Sequence, residues 1–171
     1  MPLALSRETN YPARFVPFLT TLLFAIISVV PLNLPGSSVV TPAFALMAVF
    51  HWTVYRPDLM PLSAVFVTGI LVDLLNGTPY VGLSALALLG ARTAVMNQRR
   101  FFANRTFSLV WLGFCAVAGG AFIFLWLSVS LLHGGILGLR PFIFQAVLTV
   151  TCYPVGSYFL ARAHRAFLSR A

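Results

Sequence analysis

Lysine is absent from this chain and acids are almost so: Glu8, Asp58 and Asp73 are the three carboxylates in 171 residues. Cysteine is limited to Cys115 and Cys152, and histidine to His51, His133 and His164. With 8% charged residues, 60% hydrophobic residues and a mean hydropathy of +0.94, the chain lacks the polar surface that a soluble domain of this length needs. The shortage of acids also leaves no carboxylate near any histidine, which argues against a metal site. No serine or cysteine has a nearby base within its apolar run, and no glycine loop of the phosphate-binding kind occurs, so no catalytic residues and no cofactor are expected. Both cysteines fall in the middle of apolar runs and read as inert thiols.

What the chain does contain is apolar sequence in long stretches, and that composition is that of an integral membrane protein. The net charge of +8 comes from 11 arginines distributed over separate short loops. A nucleic-acid reading would need them gathered on one soluble face.

Six apolar runs follow one another: approximately 15–31, 39–55, 61–75, 80–97, 107–132 and 141–161. The first is about 17 residues, enough to cross most of a ~30 Å hydrocarbon core at 1.5 Å per residue. A cleaved signal peptide is the competing reading of this run, but Leu32-Asn33-Leu34-Pro35 supplies no small-x-small cleavage site. The second run ends at His51-Trp52, residues suited to the membrane interface. The third is read as the shortest. Pro141 opens the sixth as a first-turn proline, and Pro154 with Gly156 is expected to kink it. No linker separates runs this close, so residues 1–171 are read as one all-α domain, a bundle of six transmembrane helices.

Six spans put both termini on one side of the membrane. Ten arginines belong to that side and Arg140 alone to the other, so the positive-inside rule makes both termini cytoplasmic. Arg99, Arg100, Arg105, Arg162 and Arg165 then form a basic cytoplasmic surface that would face anionic lipid headgroups or an acidic partner.

The stretch Gly69-Ile-Leu-Val-Asp73-Leu-Leu-Asn-Gly77, followed by Thr78-Pro79-Tyr80-Val81-Gly82, is the most informative. Gly69, Asp73 and Gly77 are spaced by four, so a helix carries them near one face, with the acid between two positions where another backbone can come close. Thr78-Pro79 ends that helix and a second begins near Val81, which makes a helical hairpin with a buried acid near its bend. An acid in apolar surroundings is costly and so a candidate for function. Asp73 sits about 6 Å from the outer end of its span, and Arg92 about 18 Å below the outer start of the next. Arg140 begins the sixth span at a depth Asp73 reaches, so an Asp73–Arg140 ion pair is the expected contact, and Arg92 is read as snorkelling to the cytoplasmic headgroups. Ser84, Ala87, Ala91 and Ala94 give the fourth span a face of small residues that suits close helix packing, within the bundle or against a partner.

The run Phe50-His51-Trp52, Arg56-Pro57, Gly69-x3-Asp73-x3-Gly77 and Gly82-Leu83-x-Ala85-Leu86 resembles the rod-shape-determining MreD family. The resemblance is good from about Phe50 to Arg105 and continues through Phe107 to Phe114. Many relatives have three residues between the two later glycines, where this chain has Thr78, Pro79, Tyr80 and Val81. The resemblance implies a non-enzymatic, multi-pass inner-membrane component of the cell-elongation machinery. Its implied partners are MreC, MreB, RodA and penicillin-binding protein 2. A scaffold that holds MreC next to the wall synthases is the leading expectation. The alternative is a small-solute-binding or transport subunit, because MreD-like proteins resemble the six-helix substrate-binding subunits of vitamin transporters. A lipid-processing enzyme is the weakest of the three.

Overall fold

The computed structural model describes residues 11–28, 41–102 and 107–168, with side chains described for 16–28, 41–98 and 107–163. Among the described residues there are six α-helices and no strand: α1 Tyr11–Ile27, α2 Phe44–Tyr55, α3 Leu62–Leu75, α4 Leu83–Phe102, α5 Phe107–His133 and α6 Arg140–Leu168. A 3-10 turn, Pro57–Leu59, joins α2 to α3.

The helices follow the apolar runs, but their ends are set by backbone chemistry rather than by hydrophobicity. Helix α4 begins at Leu83 rather than at 80, because Pro79 and the turn after it interrupt the helix, and it continues through Gln98, Arg99 and Arg100, which are good helix formers. Helix α6 likewise outruns its apolar stretch and reaches Leu168. The expected end of the first span at 31 and start of the second at 39 lie outside the described residues. The shortest helix is α2, with 12 residues, not α3, with 14.

Helix α2 forms the centre of the bundle. Every residue from Ala45 to Val54 is buried, and the helix is apolar all round, the pattern of an element enclosed by others. It packs against α1, α4 and α6 and also meets α3 and α5. Trp52 is wholly buried and its indole Nε1 donates to Thr20 Oγ1 of α1 at 3.0 Å. His51 is buried beside the Trp52 and Tyr55 rings. His51 and Trp52, read as suited to the membrane interface, thus face neighbouring helices rather than lipid, while Tyr55 in the same last turn is exposed.

The start of α2 is tied to α6. Ala43 N donates to Thr149 Oγ1 at 3.0 Å, and Gln145 Nε2 donates to the Thr41 carbonyl at 2.9 Å. Thr149 thus takes an N–H that the helix start leaves open, and Gln145 fixes the chain leading into it. Further along α6, Pro154 cannot donate to the carbonyl of Val150. The indole Nε1 of Trp111, on α5, donates to it at 3.2 Å instead. Gly156 lies where a side chain would press on Met47 of α2, 3.1 Å from its Sδ. Phe50, Phe114 and Tyr153 form an aromatic core across α2, α5 and α6, with Phe114 and Tyr153 stacked at 4.1 Å.

The outer surface is apolar. Leu112, Ile123 and Leu131 of α5 and Val147, Val155 and Phe159 of α6 are all more than half exposed. Continuous apolar exposure on this scale marks a surface meant for hydrocarbon. Among the described residues, Phe107–His133 and Arg140–Ala163 are long and apolar enough, by length and composition, to cross a membrane. The remaining apolar helices are shorter, α3 spanning about 21 Å.

Candidate functional site: the hairpin of α3 and α4

The α3–α4 pair is held by three features of one short sequence. Gly69 is the point of closest approach. A Cβ placed there would lie 2.2 Å from Ala85 Cα and 2.6 Å from Ala85 N, distances no side chain tolerates. The backbones of the two helices therefore touch where glycine stands.

Asp73, one turn further on, ends one helix and starts the next. Its backbone carbonyl accepts from Thr78 N at 3.2 Å, while Gly77 N donates to the Leu74 carbonyl at 3.2 Å. With Gly77 at φ +60°, these two bonds make a Schellman motif that closes α3. Thr78 Oγ1 adds a further donation to the same Asp73 carbonyl at 3.2 Å.

The carboxylate of Asp73 turns the other way. It is 1% exposed. Its Oδ2 accepts from Gly82 N at 2.7 Å and from Ser84 N at 3.1 Å, with Oδ1 3.3 Å from Ser84 N. Gly82 precedes α4 and has no side chain to cap it, while its carbonyl accepts the first intrahelical bond from Leu86 N at 3.0 Å. Asp73 supplies the missing cap from nine residues upstream. A negative charge there also faces the positive end of the α4 backbone dipole.

The expected Asp73–Arg140 ion pair does not form. The carboxylate is occupied by amides, Arg140 is exposed at the start of α6, and no ion pair joins the two among the described residues. Sequence depth placed the two residues near the same level, but it did not reveal that an unprotected helix start lay closer. Arg92 Nε donates to the Met60 carbonyl at 3.0 Å, fastening α4 to the end of the turn between α2 and α3. That bond, like Trp111 on Val150 and Thr149 on Ala43, had no signature in the sequence.

Of the small residues on α4, Ala87 and Ala91 are buried in the bundle, and Ala94 is exposed along a groove of about 380 Å³ between α4 and α5. Of the basic surface, Arg162 is exposed on α6. The side chains of Arg99, Arg100 and Arg165, and the whole of Arg105, lie outside the described residues. Cys115 and Cys152 are free and partly buried. Among the described residues no group of histidine, cysteine and acids is placed to hold a metal ion.

With the hairpin built in this way, a comparison with family models is decisive: the model of the rod shape-determining protein MreD matches residues 12–154. The chain belongs to the MreD family. Membership makes it a membrane protein of the Mre shape-determining system, with a role in determining rod shape. Neither the curated proteins nor the solved structures gave a match. The MreD match lends no support to the reading as a solute-binding or transport subunit.

Proposed function

We propose that this MreD-family chain is a non-enzymatic scaffold of the cell-elongation complex in the inner membrane. It holds the membrane anchor of MreC beside the wall synthases RodA and penicillin-binding protein 2, with MreB on the cytoplasmic side. The observation that carries this reading is the hairpin itself. The Asp73 main-chain carbonyl closes α3 and its buried carboxylate caps α4, so the motif is a device for fixing two helices in one relation rather than a reacting group.

In this reading all six helices cross the bilayer and both termini are cytoplasmic. Support comes from the way loops pair at opposite ends. Tyr80 Oη donates to the Leu132 carbonyl at 3.4 Å, joining the α3–α4 turn to the end of α5, whereas Arg92, midway along α4, meets the α2–α3 turn at the far end of α3. The short turns leave little to grip a folded domain, so recognition takes place within the bilayer. The α4–α5 groove, edged by the exposed small residues Gly90, Ala94, Ala116 and Gly120, supports close approach of a partner helix. The exposed arginines attract anionic lipid at the cytoplasmic face.

Single cysteines placed in a background without Cys115 and Cys152 test this directly. Ala94→Cys and Ala116→Cys should cross-link to the MreC anchor, and Val155→Cys on the outer face of α6 should not. Cross-linking at Val155→Cys alone would place the anchor elsewhere and contradict recognition at the groove.

A further inference from the structure

At the end of the bundle away from the Asp73 turn, α2, α5 and α6 part to leave a cleft of about 650 Å³. Its floor is buried: His51 is 3% exposed, Tyr153 1% and Ser157 6%. Its walls are Tyr55, Phe107 and Tyr158, all exposed. The walls are held from behind. Phe107 lies parallel to Tyr153 at 6.5 Å, Tyr153 stacks on Phe114, and Tyr55 rests 4.7 Å from His51. Ser157 Oγ donates to the Pro154 carbonyl at 2.9 Å, so the proton of this hydroxyl is already engaged. The volume falls within the roughly 300–1,000 Å³ of ligand pockets, and tyrosines around an apolar body suit the level of the lipid headgroups.

Charge indicates the kind of occupant. Arg56 follows Tyr55 directly, and Arg162 stands one turn beyond Tyr158 on the same face of α6, both exposed. Asp58 is the one described acid at this end. Guanidinium groups pair with phosphate through two parallel hydrogen bonds, and an aromatic cleft open to the membrane accepts a hydrocarbon chain. We propose that this cleft binds one acidic phospholipid, its acyl chain among Tyr55, Phe107, Tyr153 and Tyr158 and its phosphate at Arg56 and Arg162. Such a site differs from diffuse attraction to a basic surface: it holds one molecule, and it needs the tail as well as the headgroup. It stands independently of the scaffold reading, because no partner protein contributes to it.

The test is native mass spectrometry of the delipidated full chain, titrated with phosphatidylglycerol and phosphatidylcholine of identical acyl chains. One phosphatidylglycerol should be retained where phosphatidylcholine is not. The double variant Arg56→Gln/Arg162→Gln should weaken its retention roughly tenfold or more, to the level of phosphatidylcholine. Ser157→Phe, which fills the floor, should lower retention of phosphatidylglycerol. The arginine variants change surface residues and carry the test on their own if Ser157→Phe does not fold. Excess glycerol phosphate should fail to displace the lipid. Equal retention of the two lipids, wild-type retention by the arginine variant, or displacement by glycerol phosphate would overturn the proposal.

Discussion

Asp73 illustrates how a costly residue is accommodated at the scale of single side chains. A buried carboxylate is tolerable because two backbone amides donate to it, and those amides belong to a helix start that has no other acceptor. Asp73→Asn keeps one acceptor oxygen and most of the shape, so it should lower stability by about 1 kcal/mol. Asp73→Leu leaves Gly82 N and Ser84 N without that acceptor and should cost about 2–4 kcal/mol. Thermal unfolding in detergent would rank them, and equal losses would mean that the amide bonds are not what the acid provides. Gly69 and Gly77 make a second contrast. Gly77 has no atom within 4 Å of an added Cβ, so Gly77→Ala should cost only the left-handed backbone penalty, about 1–2 kcal/mol. Gly69→Ala drives a side chain into the Ala85 backbone and should cost about 1–3 kcal/mol or more. Because the nearest atoms are Ala85 Cα and N, adding Ala85→Gly should not rescue Gly69→Ala. Recovery of the melting temperature in that double variant would show that the clash is with the side chain.

At the scale of elements, the helices are joined by side chains that complete one another's backbones. Trp111 on Val150 is the clearest, since Pro154 creates the orphan carbonyl that the indole takes up. Trp111→Phe should therefore cost about 1 kcal/mol, and much less when combined with Pro154→Ala, which restores a main-chain donor to the same carbonyl. An unchanged cost in the double-mutant cycle would show that Trp111 acts through packing alone. These junctions mark the limit of what the sequence discloses. Apolar runs located all six helices, and the spacing of Gly69, Asp73 and Gly77 located the hairpin, because helical period and glycine punctuation are local properties. The partner of Asp73 was not local in that sense: it depended on which group the folded turn brought closest, and backbone amides leave no trace in residue identity. The burial of His51 and Trp52 was hidden for a related reason, since an aromatic pair near a helix end reads alike whether lipid or other helices lie beside it.

For the whole molecule, the enclosed position of α2 and the apolar exterior of α5 and α6 describe a helical membrane body. The orientation drawn from the arginines predicts that reporter fusions after Arg105 and after Gly135 read opposite sides of the membrane, the first cytoplasmic. Fusions that read the same side would break the six-span arrangement. The central claim, that this MreD-family chain keeps MreC in place beside the wall synthases, is tested most directly by depleting it in a rod-shaped host and measuring cell shape and co-purification of MreC together. The account predicts that depleted cells round up as MreC leaves the complex, and that wild type and Asp73→Asn restore both. Rounded cells from which all of the MreC still co-purifies with the synthases would contradict it.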